Sequence, residues 1–295
     1  MVRQDPQLTT LQRDLLEWGA HTRRDLPWRR TRDPWAVLVS ELMLQQTQAP
    51  RVAPKFEAFL ERFPTVAECA AASVGDVVGA WAGLGYNRRA VHLHRASVVV
   101  RETYGGVIPD DLAALLTLPG VGPYTARAVL VFAFERDLGL VDTNAGRFVA
   151  RALAGTAVTS AEAQARADAA VPQGHGWAWG QAVFDLGAAV CAKRAPSCGD
   201  CPIARSCAWA SAGWPDPDPA LGSAGVSRGQ SAFAGSFRQG RGRLVNALRA
   251  GPVNRESVAA AAGWPEDPER AARAVASLVA DGLAVVDGDG TVAPP

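Results

Sequence analysis

Two carboxylates and four thiols are the residues whose settings suit chemistry. Glu41 lies in Val37-Leu38-Val39-Ser40-Glu41-Leu42-Met43-Leu44, an apolar stretch with helical spacing. Burial there disfavours the charged form and keeps a carboxylic acid protonated, which suits a general acid. An exposed helical glutamate, the commoner fate of that residue type, has the same local pattern. Asp142 ends the apolar run Leu138-Gly139-Leu140-Val141, just before a segment carrying Arg147 and Arg151. There it is a helix N-cap, worth about 1 kcal/mol. It is also a second carboxylate able to stabilise positive charge on a sugar, as in glycoside cleavage by paired acids. Sequence separation does not tell whether the two meet. The thiols are Cys191, Cys198, Cys201 and Cys207, four of the five cysteines, spaced by six, two and five residues. Four thiolates hold either tetrahedral zinc or an iron-sulfur cluster. Zinc ribbons present two close pairs, and this stretch has one, so spacing favours the cluster.

A third motif is Leu118-Pro119-Gly120-Val121-Gly122-Pro123-Tyr124-Thr125-Ala126. Glycines here permit a tight turn and close approach of a partner, and the start of the following helix offers unpaired N–H groups to an anion such as a DNA phosphate. A Gly-x-Gly turn taken alone is more often punctuation between helices.

The elements that must position these groups are helical. From Leu8 to about Leu153 apolar residues recur at three- and four-residue intervals, and helices are expected over Trp35–Gln48, Arg51–Phe63, Val74–Gly83, Arg88–Tyr104 and Tyr124–Phe134. The core is expected to be all-α. Residues 213–230 are rich in Pro, Gly and Ser and are expected to be a linker. Beyond it, helices over Gln239–Ala250, Asn254–Ala262 and Pro268–Asp281 precede two short strands around an Asp-Gly turn, the order of a winged helix. Arg228, Arg238, Arg241, Arg243 and Arg249 occur with no acidic residue between Pro219 and Arg255, which makes this module a candidate for DNA backbone contacts.

Composition sets the outer limits. At 295 residues the chain is long enough for a large core plus an appendage, and 48% hydrophobic against 20% charged residues excludes disorder. The net charge of +1 announces no polyanionic partner by itself, so any basic surface is local. Only Lys55 and Lys193 are lysines among 30 basic residues, a bias towards the forked contacts of arginine. No run of 18 uncharged apolar residues and no apolar leader is present, so no membrane partner and a cytoplasmic location are expected. Disulfides are not expected there.

Together these residues resemble the helix-hairpin-helix DNA glycosylases, and more closely the MutY-type adenine glycosylases. The resemblance spans roughly residues 8–210 and rests on Ser40-Glu41-Leu42-Met43-Leu44-Gln45-Gln46-Thr47-Gln48, Gly83-Leu84-Gly85-Tyr86, Leu118–Ala126, Val141-Asp142-Thr143-Asn144 and the cysteine spacing. It implies a two-lobed core, with residues 1–25 and 141–212 forming a 4Fe-4S lobe and residues 26–140 a helical lobe with the hairpin. Residues 231–295 then form the winged-helix-like module. It also implies removal of adenine paired with 8-oxoguanine or guanine in double-stranded DNA, by a monomer, in base-excision repair. Glu41 matches the acid that protonates the base, Asp142 the carboxylate that stabilises or traps the sugar cation, and Asn144 a residue that orients the site. Trp28, Arg29, Leu44 and Gln46 match the adenine pocket and wedge, with Thr47 and Leu84 in the same motifs. Tyr86 matches the aromatic beside 8-oxoguanine, Gly120 and Gly122 the phosphate-binding hairpin, and Asp185 a pocket contributor. Tyr124 stands where bifunctional relatives carry a lysine nucleophile, and a phenol forms no imine, which implies a monofunctional enzyme. An endonuclease III-type or mismatch thymine glycosylase, or an idle lesion-binding protein, remains an alternative. The Nudix-like C-terminal domain of the family has no counterpart in the residues after the linker, which leaves the source of 8-oxoguanine selectivity open.

Overall fold

The computed structural model describes residues 6–223 and 232–295. The helices in chain order are α1 (Pro6–Thr22), α2 (Pro34–Leu44), α3 (Ala49–Arg62), α4 (Val66–Ala71), α5 (Val74–Ala80), α6 (Arg88–Thr103), α7 (Leu112–Leu116) and α8 (Pro123–Phe132). They continue with α9 (Thr143–Phe148), α10 (Ser160–Ala169), α11 (Gly176–Ala189), α12 (Ala208–Ser211), α13 (Phe237–Ala250), α14 (Val258–Ala262) and α15 (Pro268–Ala280). Two short strands follow, β1 (Val285–Val286) and β2 (Val292–Ala293), paired antiparallel. The expected all-α core is what the chain forms.

The described residues divide into two compact units, one of residues 6–37, 110–112 and 122–223, the other of residues 38–109, 113–121 and 232–295. The first is built around Leu11 and Leu15 of α1, which stand one turn apart and pack with Phe148, Trp179 and Leu186. A Cβ on Gly19 would lie 2.6 Å from that of Ala182, so glycine lets α1 and α11 approach. Residues 122–140, which the resemblance assigns to the helical lobe, belong to this unit. The first half of the expected linker also packs here: Trp209 Nε1 donates to Pro215 O at 3.0 Å, Ser223 Oγ accepts from Val158 N at 3.1 Å, and Ala220 is buried. The rest of that linker, Arg228 included, lies outside the described residues.

In the second unit Phe59, Val77, Trp81, Leu93 and Val100 are buried, with the Phe59 and Trp81 rings edge to face at 6.0 Å. Thr65 and Glu68 form a reciprocal capping box at the start of α4. The C-terminal segment has the expected order of three helices and a hairpin, and Val253 bridges Val292 with two 2.8 Å hydrogen bonds. Leu244, Leu248, Ala274 and Leu278 are buried between α13 and α15.

Three expected helices are clearly shorter than their patterns: that over Val74–Gly83 ends at Ala80, and that over Asn254–Ala262 is α-helical only from Val258. The helix expected over Trp35–Gln48 stops at Leu44, because Gln46 takes a left-handed φ of 60°. The carbonyls of Leu42, Met43 and Gln45 go to a distant guanidinium instead of continuing the helix.

Candidate active site

In the second unit the candidate residues hang on one arginine that the sequence did not single out. Arg89 is buried, and its Nη1 donates to Leu42 O at 2.9 Å, to Met43 O at 2.7 Å and to Gln45 O. Its Nη2 donates to Thr47 Oγ1 at 3.0 Å and Gly85 O at 2.9 Å, and Nε to Tyr86 O at 3.3 Å. Burial pushes its pKa down to about 10, with the neighbouring Tyr86 acting in the opposite sense. One side chain thus ties the turn carrying Gln46 and Thr47 to the turn carrying Gly83-Leu84-Gly85-Tyr86.

Both turns are unusual in backbone. Gly83 and Gly85 have φ of 89° and 71°, where glycine costs nothing, but Gln46 and Tyr86 sit at 60° and 46°. Left-handed non-glycine residues persist where their surroundings over-determine them, which Arg89 does. Gln46 is exposed, and Tyr86 is 44% exposed. Leu84 differs from the implied role: its side chain is buried and packs in the core, while its carbonyl accepts from Arg89. Glu41 is only 6% exposed, on the apolar part of α2 that the pattern indicated.

Gly120 ends the turn after α7, with φ of 81° and a Cβ position 2.7 Å from that of His92, so no other residue fits. Its carbonyl accepts from Gln45 Nε2 at 3.4 Å. Gly122 caps α8, and a Cβ there would meet nothing, which leaves its backbone open to a partner.

In the first unit Asp142 caps α9. Its Oδ1 accepts from the N–H groups of Asn144 and Ala145 at 2.8 and 2.7 Å, and Oδ2 accepts from Asn144 Nδ2 at 3.2 Å. Burial raises its pKa, and the backbone hydrogen bonds only partly counter that. Asn144 Oδ1 accepts in turn from Arg147 Nη2 at 2.8 Å, and Arg147 Nε donates to Cys191 O at 3.0 Å. A continuous polar chain therefore runs from Asp142 to the cysteine segment. The sequence shows its members, Asp142, Asn144, Arg147 and Cys191, but not that they connect.

Trp28 is buried in a single helical turn at Pro27–Arg29. Arg29 and Asp185, both expected near the base pocket, pair with each other. Tyr124 stands at the start of α8 with its ring 6.4 Å from Phe184.

The four cysteines line one small cavity together with Phe148, Leu186, Val190, Ile203, Trp209 and a few neighbours. Burial, with the charge of the other three sulfurs, pushes the Cys201 thiol up to about 11. Arg151 Nη1 lies 3.4 Å from Cys191 Sγ, and the same guanidinium pairs with Asp218 from the stretch expected to be a linker. Among the described residues no group of three His, Cys, Asp or Glu side chains is arranged to hold a single metal ion. No described helix is long and apolar enough to cross a membrane.

Residues 39–173 match the HhH-GPD superfamily of base excision DNA repair proteins. Among solved structures the chain is similar to a thermostable thymine-DNA glycosylase, at 28% identity and a TM-score of 0.64 over 70% of this chain and 97% of that one. It shares its fold with an endonuclease III trapped in a covalent intermediate with DNA, at 20% identity and a TM-score of 0.61 over 71% of this chain and 98% of the other. The helical fold and these matches thus define a helix-hairpin-helix DNA glycosylase. An adenine DNA glycosylase of Mycolicibacterium smegmatis is 43% identical over 286 residues, covering 95% of this chain and 94% of the relative, so the likeness extends into the C-terminal module. The chain belongs to the adenine DNA glycosylase family.

Proposed function

We propose that the protein hydrolyses the N-glycosidic bond of adenine mispaired with 8-oxoguanine, or with guanine, in double-stranded DNA. The observation that carries this reading is Asp142: a desolvated carboxylate, fixed by two backbone N–H groups and by Asn144, suited to meeting a cation. A base inside a duplex is out of reach, so it is flipped out of the stack. Glu41 gives its proton to the adenine ring, and the N-glycosidic bond breaks with its electron pair leaving on the base. Asp142 stabilises or traps the sugar cation until water adds. Tyr124, in place of a lysine, leaves an abasic site and no imine. The backbone about Gly120 and Gly122 receives phosphate, Gln46 fills the gap, and Tyr86 stacks beside the opposite base.

Cys191, Cys198, Cys201 and Cys207 suit a 4Fe-4S cluster: four thiols share one largely apolar cavity, with Arg151 beside it to offset negative charge. Such a cluster would order the segment containing Lys193, Arg194 and Arg205. Of the arginines expected at DNA, Arg241 pairs with Asp281 and Arg249 is bound to Val78 O and Asn87, so those two hold the protein together. Arg243 is exposed and remains suited to a phosphate.

The test is strand cleavage, with and without hot alkali, of duplexes carrying adenine opposite 8-oxoguanine, adenine opposite guanine, thymine opposite guanine, and thymine glycol. Alkali-dependent cleavage of the two adenine duplexes is expected. Preference for the thymine substrates, or efficient borohydride trapping, would overturn the reading.

A further inference from the structure

Three consecutive residues of the second unit, Tyr86, Asn87 and Arg88, are each held by a side chain of the C-terminal module. Arg238 Nη1 of α13 donates to the Tyr86 hydroxyl at 3.1 Å. Arg249 Nη2, at the far end of α13, donates to Asn87 Oδ1 at 3.2 Å and to Val78 O at 3.1 Å. Asp281 Oδ1, just after α15, lies 3.4 Å from Arg88 Nε.

The contacts are not equivalent. Arg249 and Asp281 are largely withdrawn from solvent and serve to dock the module. The Arg238 contact is made at an exposed aromatic tip, where a polar contact adds little to folding. What it can do is fix the ring. Tyr86 already has a left-handed backbone between Gly85 and the start of α6, held from below by Arg89 at its carbonyl. With the hydroxyl also held, both ends of the side chain are located; the Arg89 guanidinium lies over the ring, 5.5 Å from its centroid, and the residue is still 44% exposed. A rigid exposed aromatic face is what a base stacks on, and holding it in advance removes the ordering cost of binding.

Resting on the proposed function, we infer that the C-terminal module sets selectivity for the base opposite adenine, and that Arg238 is its positioning residue, acting through the Tyr86 hydroxyl. The module thereby takes a place in lesion reading without touching the lesion. Because Arg238 works on ring placement, its removal weakens the duplex whose opposite base makes the closest stack more than the other.

The experiment measures affinity for duplexes carrying a non-hydrolysable adenine analogue opposite 8-oxoguanine or guanine, with R238A, Y86F and the double variant beside the full-length wild type. Excision by the wild type and thermal midpoints are followed in parallel. The expected result is a roughly five-fold fall in the 8-oxoguanine-to-guanine affinity ratio for R238A, the scale of one modest hydrogen bond. Y86F should show the same fall and the double variant no more, since both remove one contact. An unchanged ratio in R238A overturns the inference, whatever its thermal midpoint. So do additive losses, or equal weakening of both duplexes with a shallower salt dependence, which marks a phosphate contact. A wild type that prefers the 8-oxoguanine duplex but excises no adenine overturns the proposed function alone, and R238A still decides the inference. A wild type with no preference overturns both.

Discussion

Arg29 Nη1 lies 2.7 Å from Asp185 Oδ2 and Nη2 lies 3.0 Å from Oδ1, both side chains being buried. Arg24 Nε adds a contact to Asp185 Oδ1 at 2.6 Å from the more exposed side. The pair joins the turn after α1 to the middle of α11 with a planar two-point contact that lysine does not reproduce.

Asp185→Ala is expected to cost about 3–5 kcal/mol, because it strands the buried Arg29 charge. Burial alone would raise the Asp185 pKa, but Arg29 and Arg24 outweigh it and hold the carboxyl below its usual range. The folded value is therefore below the unfolded one near 3.9, so the stabilisation is present above that pH and lost as acid protonates the folded group. Urea unfolding from pH 7 to pH 3 checks this: the gap between wild type and variant should narrow towards pH 3. A constant gap would show that packing, not charge, sets the cost.

For Asp142 the sign is opposite. Burial raises its pKa in the folded chain, so the stability it permits is complete below the unfolded value near 3.9 and falls as pH rises through the folded value. Asp142→Asn keeps an N-cap acceptor and removes the desolvated charge. Adenine excision should drop by orders of magnitude while the thermal midpoint at pH 7 stays level or rises. A lowered midpoint with ordinary excision would remove Asp142 from the chemistry.

How far the sequence led differs from residue to residue. The helices, the C-terminal hairpin and the Asp142 cap were legible because each rests on short-range pattern: apolar periodicity, an Asp-Gly turn, an acceptor before a helix. Arg89 was not, since Arg88-Arg89 has the look of two solvated charges and every acceptor it holds outside its own turn comes from α2 and the turn after it. The early end of α2 was hidden for the same reason. Asp218 was lost in a proline-rich stretch whose composition says linker, although its partner Arg151 is one of the least exposed side chains in the chain.

Arg89 gives the third prediction. Arg89→Met keeps the apolar stem but leaves buried carbonyls of two turns without donors, at about 1–3 kcal/mol for each group left unpaired. A loss of roughly 3 kcal/mol or more in urea unfolding is expected on that scale. Arg89→Lys should recover only part of it, because one ammonium cannot span both turns. Excision should fall with both variants, as Gln46 and Tyr86 lose their fixed backbone. If Arg89→Met unfolds at the wild-type urea midpoint, the seven-acceptor hub does not hold the turns.

The last prediction concerns the cysteines. Protein purified without oxygen should be brown and carry about four irons per chain, the number set by the cluster type. Cys201→Ser should lower iron content sharply, since Cys201 is one of the four proposed ligands. Cys69 is the internal control: it is fully buried in α4, and burial pushes its thiol up to about 11, so it behaves as a small hydrophobe. Cys69→Ala should keep full iron and lose only a little stability, about 1 kcal/mol for a small core truncation. The two variants separate a cluster from a merely apolar pocket, because both remove a buried sulfur and only one removes a ligand. Stoichiometric zinc without iron in the wild type, or equal iron in both variants, would overturn the cluster.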